Sequence, residues 1–168
     1  MRKTKKIAVL GLLLAIILIL TTLEHMLPPL PFMPPNVRLG LSNIVTMYGA
    51  FFISPASAVV LTVLKAGFVL LTRGPVAGVL SLSGGIISIL VIIIANLVSG
   101  GKISYAMISV CGALAHNFGQ YAAVSVLIGS PYLAYYLPVL ILTGVVMGIV
   151  TGTLLKYVMP ALKEITRE

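Results

Sequence analysis

CGALAHNFGQY, residues 111–121, sets His116, Asn117 and Gln120 within five positions of a chain that is apolar on either side of them. ISYAMISV (103–110) precedes the stretch and AAVSVLIG (122–129) follows it. Read through, residues 103–128 form one segment longer than the roughly 20 residues that cross a bilayer, with three strongly polar side chains along it. Polar groups are expensive in hydrocarbon, so such a segment needs partners for them or a use for them.

The whole chain fits that reading. Of its 168 residues, 60% are hydrophobic and 8% are charged, with a mean hydropathy of +1.17. A soluble domain carries about a quarter of its residues as charges, so this composition describes an integral membrane protein. Eleven Lys and Arg stand against three acids, a net charge of +8. In a soluble protein that excess would suggest nucleic acid. Here the bases gather at the ends, in MRKTKK (1–6) and KYVMPALKEITRE (156–168). They read as topology signals facing anionic membrane lipid, and no nucleic-acid partner is expected. The single cysteine, Cys111, excludes an internal disulfide and a multi-cysteine metal site. The basic start and the apolar run after it resemble a signal peptide, but the run ends in LEHMLPPLP with no small-x-small cleavage site. It is expected to stay as the first span.

Six apolar segments are expected to cross the membrane: 6–27, 39–53, 56–72, 76–98, 103–128 and 133–158. The second and third are short and are divided by SPAS (54–57), where Pro55 disfavours helix at the residue before it. Two short spans are the first choice there, and a re-entrant pair is the alternative. The other breaks are brief, which favours one compact all-α bundle over residues 1–168. The proline-rich PPLPFMPP (28–35), with the residues up to Arg38, is expected to cap one face. An even number of spans puts both termini on one side. The basic bias makes that side cytoplasmic, with Arg2, Lys3, Lys5, Lys6, Lys102, Lys156, Lys163 and Arg167 inside and only Arg38 and Arg73 outside.

Two stripes of small residues permit close helix approach. Gly144, Gly148 and Gly152 mark the last span, and Gly11 and Ala15 the first. Packing within the bundle is the expected use of each stripe, and docking of a partner membrane protein is the alternative.

The polar residues inside the spans share a depth. Lys65 lies mid-span in LTVLKAGFV, where a lysine costs about 2.5–3.5 kcal/mol. Glu24 and His25 close the first span, and Arg38 and Asn43 open the second. His116 and Gln120, four residues apart, share a helical face with Gly112, while Asn117 lies one step round beside Tyr121. Together Glu24, Arg38, Asn43, Lys65, His116, Asn117, Gln120 and Tyr121 describe a polar pocket opening outward beneath the proline-rich loop. Interhelical hydrogen bonds, with Glu24 paired to Arg38 or Lys65, are the plainer explanation of the same residues. The chain has no aspartate, no Walker loop, no GxSxG and no HExxH, so no catalytic residues or metal site are expected. The aspartate-rich magnesium motifs of a prenyl-diphosphate synthase cannot be built from it.

Four stretches carry a family resemblance: LEHMLPPLPFMPPNVRLGLSNIVTMY (23–48), SLSGGIIS (81–88), SVCGALAHNFGQ (109–120) and YLPVLILTGVVMGIVTG (136–152). With them the chain resembles the Gx transporter family, also labelled heptaprenyl diphosphate synthase component I, over nearly its whole length. That family is similar to the substrate-binding S-components of bacterial energy-coupling factor transporters. The resemblance implies a six-span protein of the bacterial cytoplasmic membrane with both termini inside and an extracellular loop over a small-molecule ligand. It also implies a small-residue stripe on the first span that docks a transmembrane coupling subunit served by ATPases. Gly11 and Ala15 stand where S-components usually carry two alanines.

Three functions follow as expectations. The first is a binding subunit that captures a small anionic or amphipathic metabolite for uptake, with no cofactor of its own. The second is a redox subunit that holds a flavin or quinone, with His116 on a carbonyl and Tyr48, Phe118 and Tyr121 flanking the ring. The third is an accessory protein that binds polyprenyl phosphates.

Overall fold

The computed structural model describes residues 3–26, 40–129 and 131–166, and all of its regular structure is helical. The expected cap at 28–38, with Arg38, lies outside the described residues. Six α-helices follow in order: α1 Lys3–Met26, α2 Ser42–Tyr48, α3 Pro55–Arg73, α4 Pro75–Val98, α5 Tyr105–Ile128 and α6 Leu137–Thr166. A π-helical turn, Gly49–Ile53, prolongs α2, and a 3-10 turn, Pro131–Tyr136, leads into α6.

The breaks have local causes. Ser54 is extended (φ −174°), accepts a hydrogen bond from Ser57 N at 3.2 Å and so caps α3, with Pro55 at the first helical position. Gly74, at φ +89°, turns the chain from α3 into α4 in one residue, again followed by a proline. Ser104 caps α5 through Met107 N at 3.2 Å. The last helix outruns its expected end, continuing through Pro160 to Thr166. The sequence ALKE that follows the proline is made of good helix formers, which favour continuing the helix past the donor lost and the carbonyl crowded at Pro160.

Four helices, α1, α3, α4 and the stretch Ala134–Val158, are long and apolar enough to cross a membrane. α5 is as long as α1 and α4, at 24 residues, but its polar triad lowers its hydropathy. The second expected span is only Ser42–Ile53, about 18 Å at about 1.5 Å per residue. It lies antiparallel to α1 and is tied to it near both of its own ends. Leu41 N at its start bonds Glu24 near the end of α1, and Ser54 Oγ just past its end accepts from Lys6 Nζ at 3.4 Å. Residues 40–73 thus form two helical segments, of which only α3 is long and apolar enough to cross a membrane.

This short helix is the centre of the bundle. α2 touches α1, α3, α4 and α6, while α3–α4, α4–α5 and α5–α6 pack in chain order around it. Every residue of α2 except Asn43 is buried, and Tyr48 is 0% exposed, stacked on Phe52 with ring centroids 5.0 Å apart. The core adds Val9, Leu13 and Ile17 of α1, spaced four apart, with Leu61, Ile89, Ile92, Ile108 and Leu155. The exterior is apolar as well, with Ile7, Leu71, Val126 and Leu142 all well exposed. A surface of that kind suits lipid rather than water.

The two small-residue stripes part company. A Cβ on Gly148 would lie 2.4 Å from Val110 Cα, and one on Gly152 would lie 2.7 Å from Ala106 Cα, so the α6 ladder is consumed by α5. On α1 the expected internal packing is not found. Gly11 and Ala15 are exposed on the face opposite Val9, Leu13 and Ile17, and nothing lies within 4 Å of a Cβ on Gly11.

Candidate functional site

Toward the end of the bundle that holds the last turn of α1, four helices turn polar side chains to a common space. α1 supplies Thr21, Glu24 and His25, α3 supplies Lys65 and Arg73, α4 supplies Ser81, and α5 supplies His116 and Gln120. They line a cavity of about 50 Å³ with Gly40 and a few aliphatic side chains. That volume holds a few water molecules.

Lys65 is the central cation. It is 8% exposed, and its Nζ donates to Asn43 Oδ1 at 2.8 Å. Glu24, 5% exposed, accepts from the Leu41 backbone N–H and attracts the Lys65 ammonium electrostatically. One carboxylate thereby holds both the chain entering α2 and the charge on α3. Above them Arg73 Nη1 meets His25 Nε2 at 2.9 Å, tying the ends of α1 and α3.

His116 and Gln120 are half-buried and touch each other, Nε2 to Nε2, at 3.2 Å. The other ring nitrogen of His116, Nδ1, is buried without a hydrogen bond of ordinary geometry, and the Gly84 backbone lies against the imidazole. Glycine on α4 sets this geometry. A Cβ on Gly84 would fall 2.8 Å from Gln120 Cγ and 2.9 Å from His116 O, and one on Gly119 would fall 2.9 Å from Gly84 Cα. The two helices therefore touch backbone to backbone beside the polar pair, and Ser88 Oγ fastens them by donating to Gly112 O at 2.8 Å.

The expected pocket residues divide. Glu24, Lys65, His116 and Gln120 share the cavity, and Asn43 joins them through Lys65. Asn117 faces the other way: it is 9% exposed and its Nδ2 donates to Leu140 O of α6 at 2.8 Å. Tyr121 lies with Asn117 and Phe118 on a separate recess of about 10 Å³ against α6. The three rings expected to sandwich a quinone or flavin are likewise apart. Tyr48 is in the core on Phe52, Phe118 is 59% exposed, and neither they nor Tyr121 line the cavity of His116. Arg38 is outside the described residues.

Thr21, His25 and Arg73 belong to the cavity without having been assigned to a pocket from sequence. Thr21, Glu24 and His25 stand at i, i+3 and i+4, which marks one face of α1. Arg73 read only as a topology signal, because its partner His25 is 48 residues away. Among the described residues no group of three or more His, Cys, Asp or Glu is placed to hold a metal ion.

In comparisons with known proteins, the family model described as heptaprenyl diphosphate synthase component I matches residues 13–158. No curated protein and no solved structure matched the chain.

Proposed function

This chain belongs to the heptaprenyl diphosphate synthase component I family, and from that premise we propose that it is a membrane-embedded binding subunit for a small anionic or amphipathic metabolite. The observation that carries the reading is a buried lysine and glutamate facing one cavity with a histidine and a glutamine, inside a bundle with an apolar exterior. Groups so expensive in hydrocarbon, drawn from separate helices, suit a ligand site better than scattered helix contacts.

In this reading Lys65 is the anion-binding charge, oriented by Asn43, and Glu24 occupies it while the site is empty. A ligand carboxylate or phosphate displaces Glu24 from the ammonium, and His116 and Gln120 hydrogen-bond the rest of the molecule. The cavity of about 50 Å³ is far below the roughly 300 Å³ or more of an organic-ligand pocket. Capture therefore opens the site by parting the Arg73–His25 contact. With the basic end cytoplasmic, that contact lies on the outer side. The exposed Gly11 and Ala15 then offer α1 to a transmembrane coupling subunit, whose ATPases drive release inward.

The test is thermal unfolding of purified protein against vitamins, flavin phosphates and isoprenoid phosphates. At least one class should raise the unfolding temperature, and Lys65→Met should abolish the rise while the variant stays folded. If no class stabilised the wild-type protein, or K65M responded like wild type, the reading would fail.

A further inference from the structure

A second space lies at the opposite end of the bundle, where α1 begins and α6 ends. It is an open cleft of about 880 Å³, within the size range of ligand sites and far larger than the polar cavity. Its floor is aromatic and aliphatic, with Phe51 and Phe52 of the π-helical turn against Ile103 and Tyr105 at the start of α5. Its far wall is α6, which contributes Thr153, Lys156 and Tyr157. The π-helical turn ends at Ile53 and Ser54 is extended, so the central helix stops short here and leaves the space open.

Depth fixes which part of an occupant meets which wall. Lys156 lies 19 residues beyond Leu137 on α6, about 28 Å along the axis, close to the full hydrocarbon thickness of about 30 Å. Its ammonium therefore stands at headgroup level, while the Phe51–Ile103 floor lies on the hydrocarbon side. Lys156 makes no hydrogen bond or ion pair among the described residues. Lys3, Lys5, Lys6 and Lys102 share this end, and among the described residues Glu164 is its one acid. Hydrocarbon does not leave a cleft of this size empty, and the charge selects what fills it.

We propose that this cleft binds an anionic amphiphile, with its phosphate or carboxylate head on Lys156 and its hydrocarbon chain on Phe51, Ile103 and Tyr105. The site is separate from the Lys65 cavity and uses none of its residues.

Delipidated protein, titrated with dodecyl phosphate, dodecanol or inorganic phosphate and read by native mass spectrometry, tests it. Dodecyl phosphate should bind at least tenfold more tightly than dodecanol, and inorganic phosphate should neither bind measurably nor compete. Lys156→Gln should bring dodecyl phosphate to within threefold of dodecanol. Thr153→Trp, at an exposed position on the wall, should fill the cleft and weaken both tenfold, with circular dichroism confirming the fold. Equal binding of the two amphiphiles, competition by inorganic phosphate alone, or indifference to both substitutions would overturn the proposal. Loss of dodecyl phosphate binding in Lys65→Met but not in K156Q would place the amphiphile in the polar cavity instead.

Discussion

Asn117 and Gln120 are three residues apart in the sequence and work in opposite directions. Asn117 spends its amide on Leu140 O, which also accepts from Thr143 Oγ1 at 3.1 Å. Asn117→Ala should therefore cost about 0.5–2 kcal/mol in unfolding measured in detergent, the range of interhelical hydrogen bonds in membranes, and leave ligand binding unchanged. Gln120→Ala and His116→Ala should do the reverse, weakening binding at least tenfold with a smaller loss of stability. Binding titrations alongside unfolding curves would separate the two behaviours. If alanine at His116 or Gln120 weakened folding alone, the pair would be interhelical glue. The sequence made this division only partly readable. The four-residue spacing of His116 and Gln120 predicts a shared face. Which neighbour Asn117 meets depends on Gly144, whose missing Cβ, 3.2 Å from Asn117 Nδ2, lets α6 approach.

At the scale of the helix, stripes that look alike in sequence have unlike uses. Gly148 is pressed on Val110, so Gly148→Ala should cost about 1–3 kcal/mol by overpacking. Gly11 meets nothing, so Gly11→Leu should not lower the isolated protein's unfolding temperature, and should impair co-purification of a coupling subunit. Equal destabilisation by the two changes would show that α1 is packed on both faces. Element boundaries were legible wherever a capping residue fixed them: Ser54 with Pro55, Gly74 with Pro75, and Ser104 each end or start a helix within three residues of its expected position. The π-helical turn at Gly49–Ile53 was not legible, because nothing in GAFFI separates an i→i+5 turn from an α-helical one.

For the molecule as a whole, the helix count followed from hydrophobic length, which is an additive property of sequence. The central position of α2 did not follow, since it rests on which helices touch. The orientation itself is directly measurable. In a Cys111→Ser background, Thr72→Cys and Lys102→Cys place single thiols at opposite ends of the bundle, both on exposed residues. A membrane-impermeant maleimide applied to intact cells should label T72C alone, and permeabilisation should expose K102C. Labelling of K102C in intact cells would invert the topology and place the polar cavity inside.

The brevity of the central helix bears on how the chain is made. Twelve residues, Ser42–Ile53, are too few to be inserted into a membrane on their own hydrophobicity, and α5 carries a triad that opposes insertion. During synthesis α1, α3, α4 and α6 can each partition into lipid independently, whereas α2 and α5 require neighbours already in place. Those two dependent segments carry Asn43, His116 and Gln120. Nascent chains truncated after residue 73 should therefore hold α2 less firmly than the full chain does, as glycosylation mapping would report. The two segments that depend on their neighbours for insertion are thus the ones that bring Asn43 to Lys65 and His116 and Gln120 to the polar cavity.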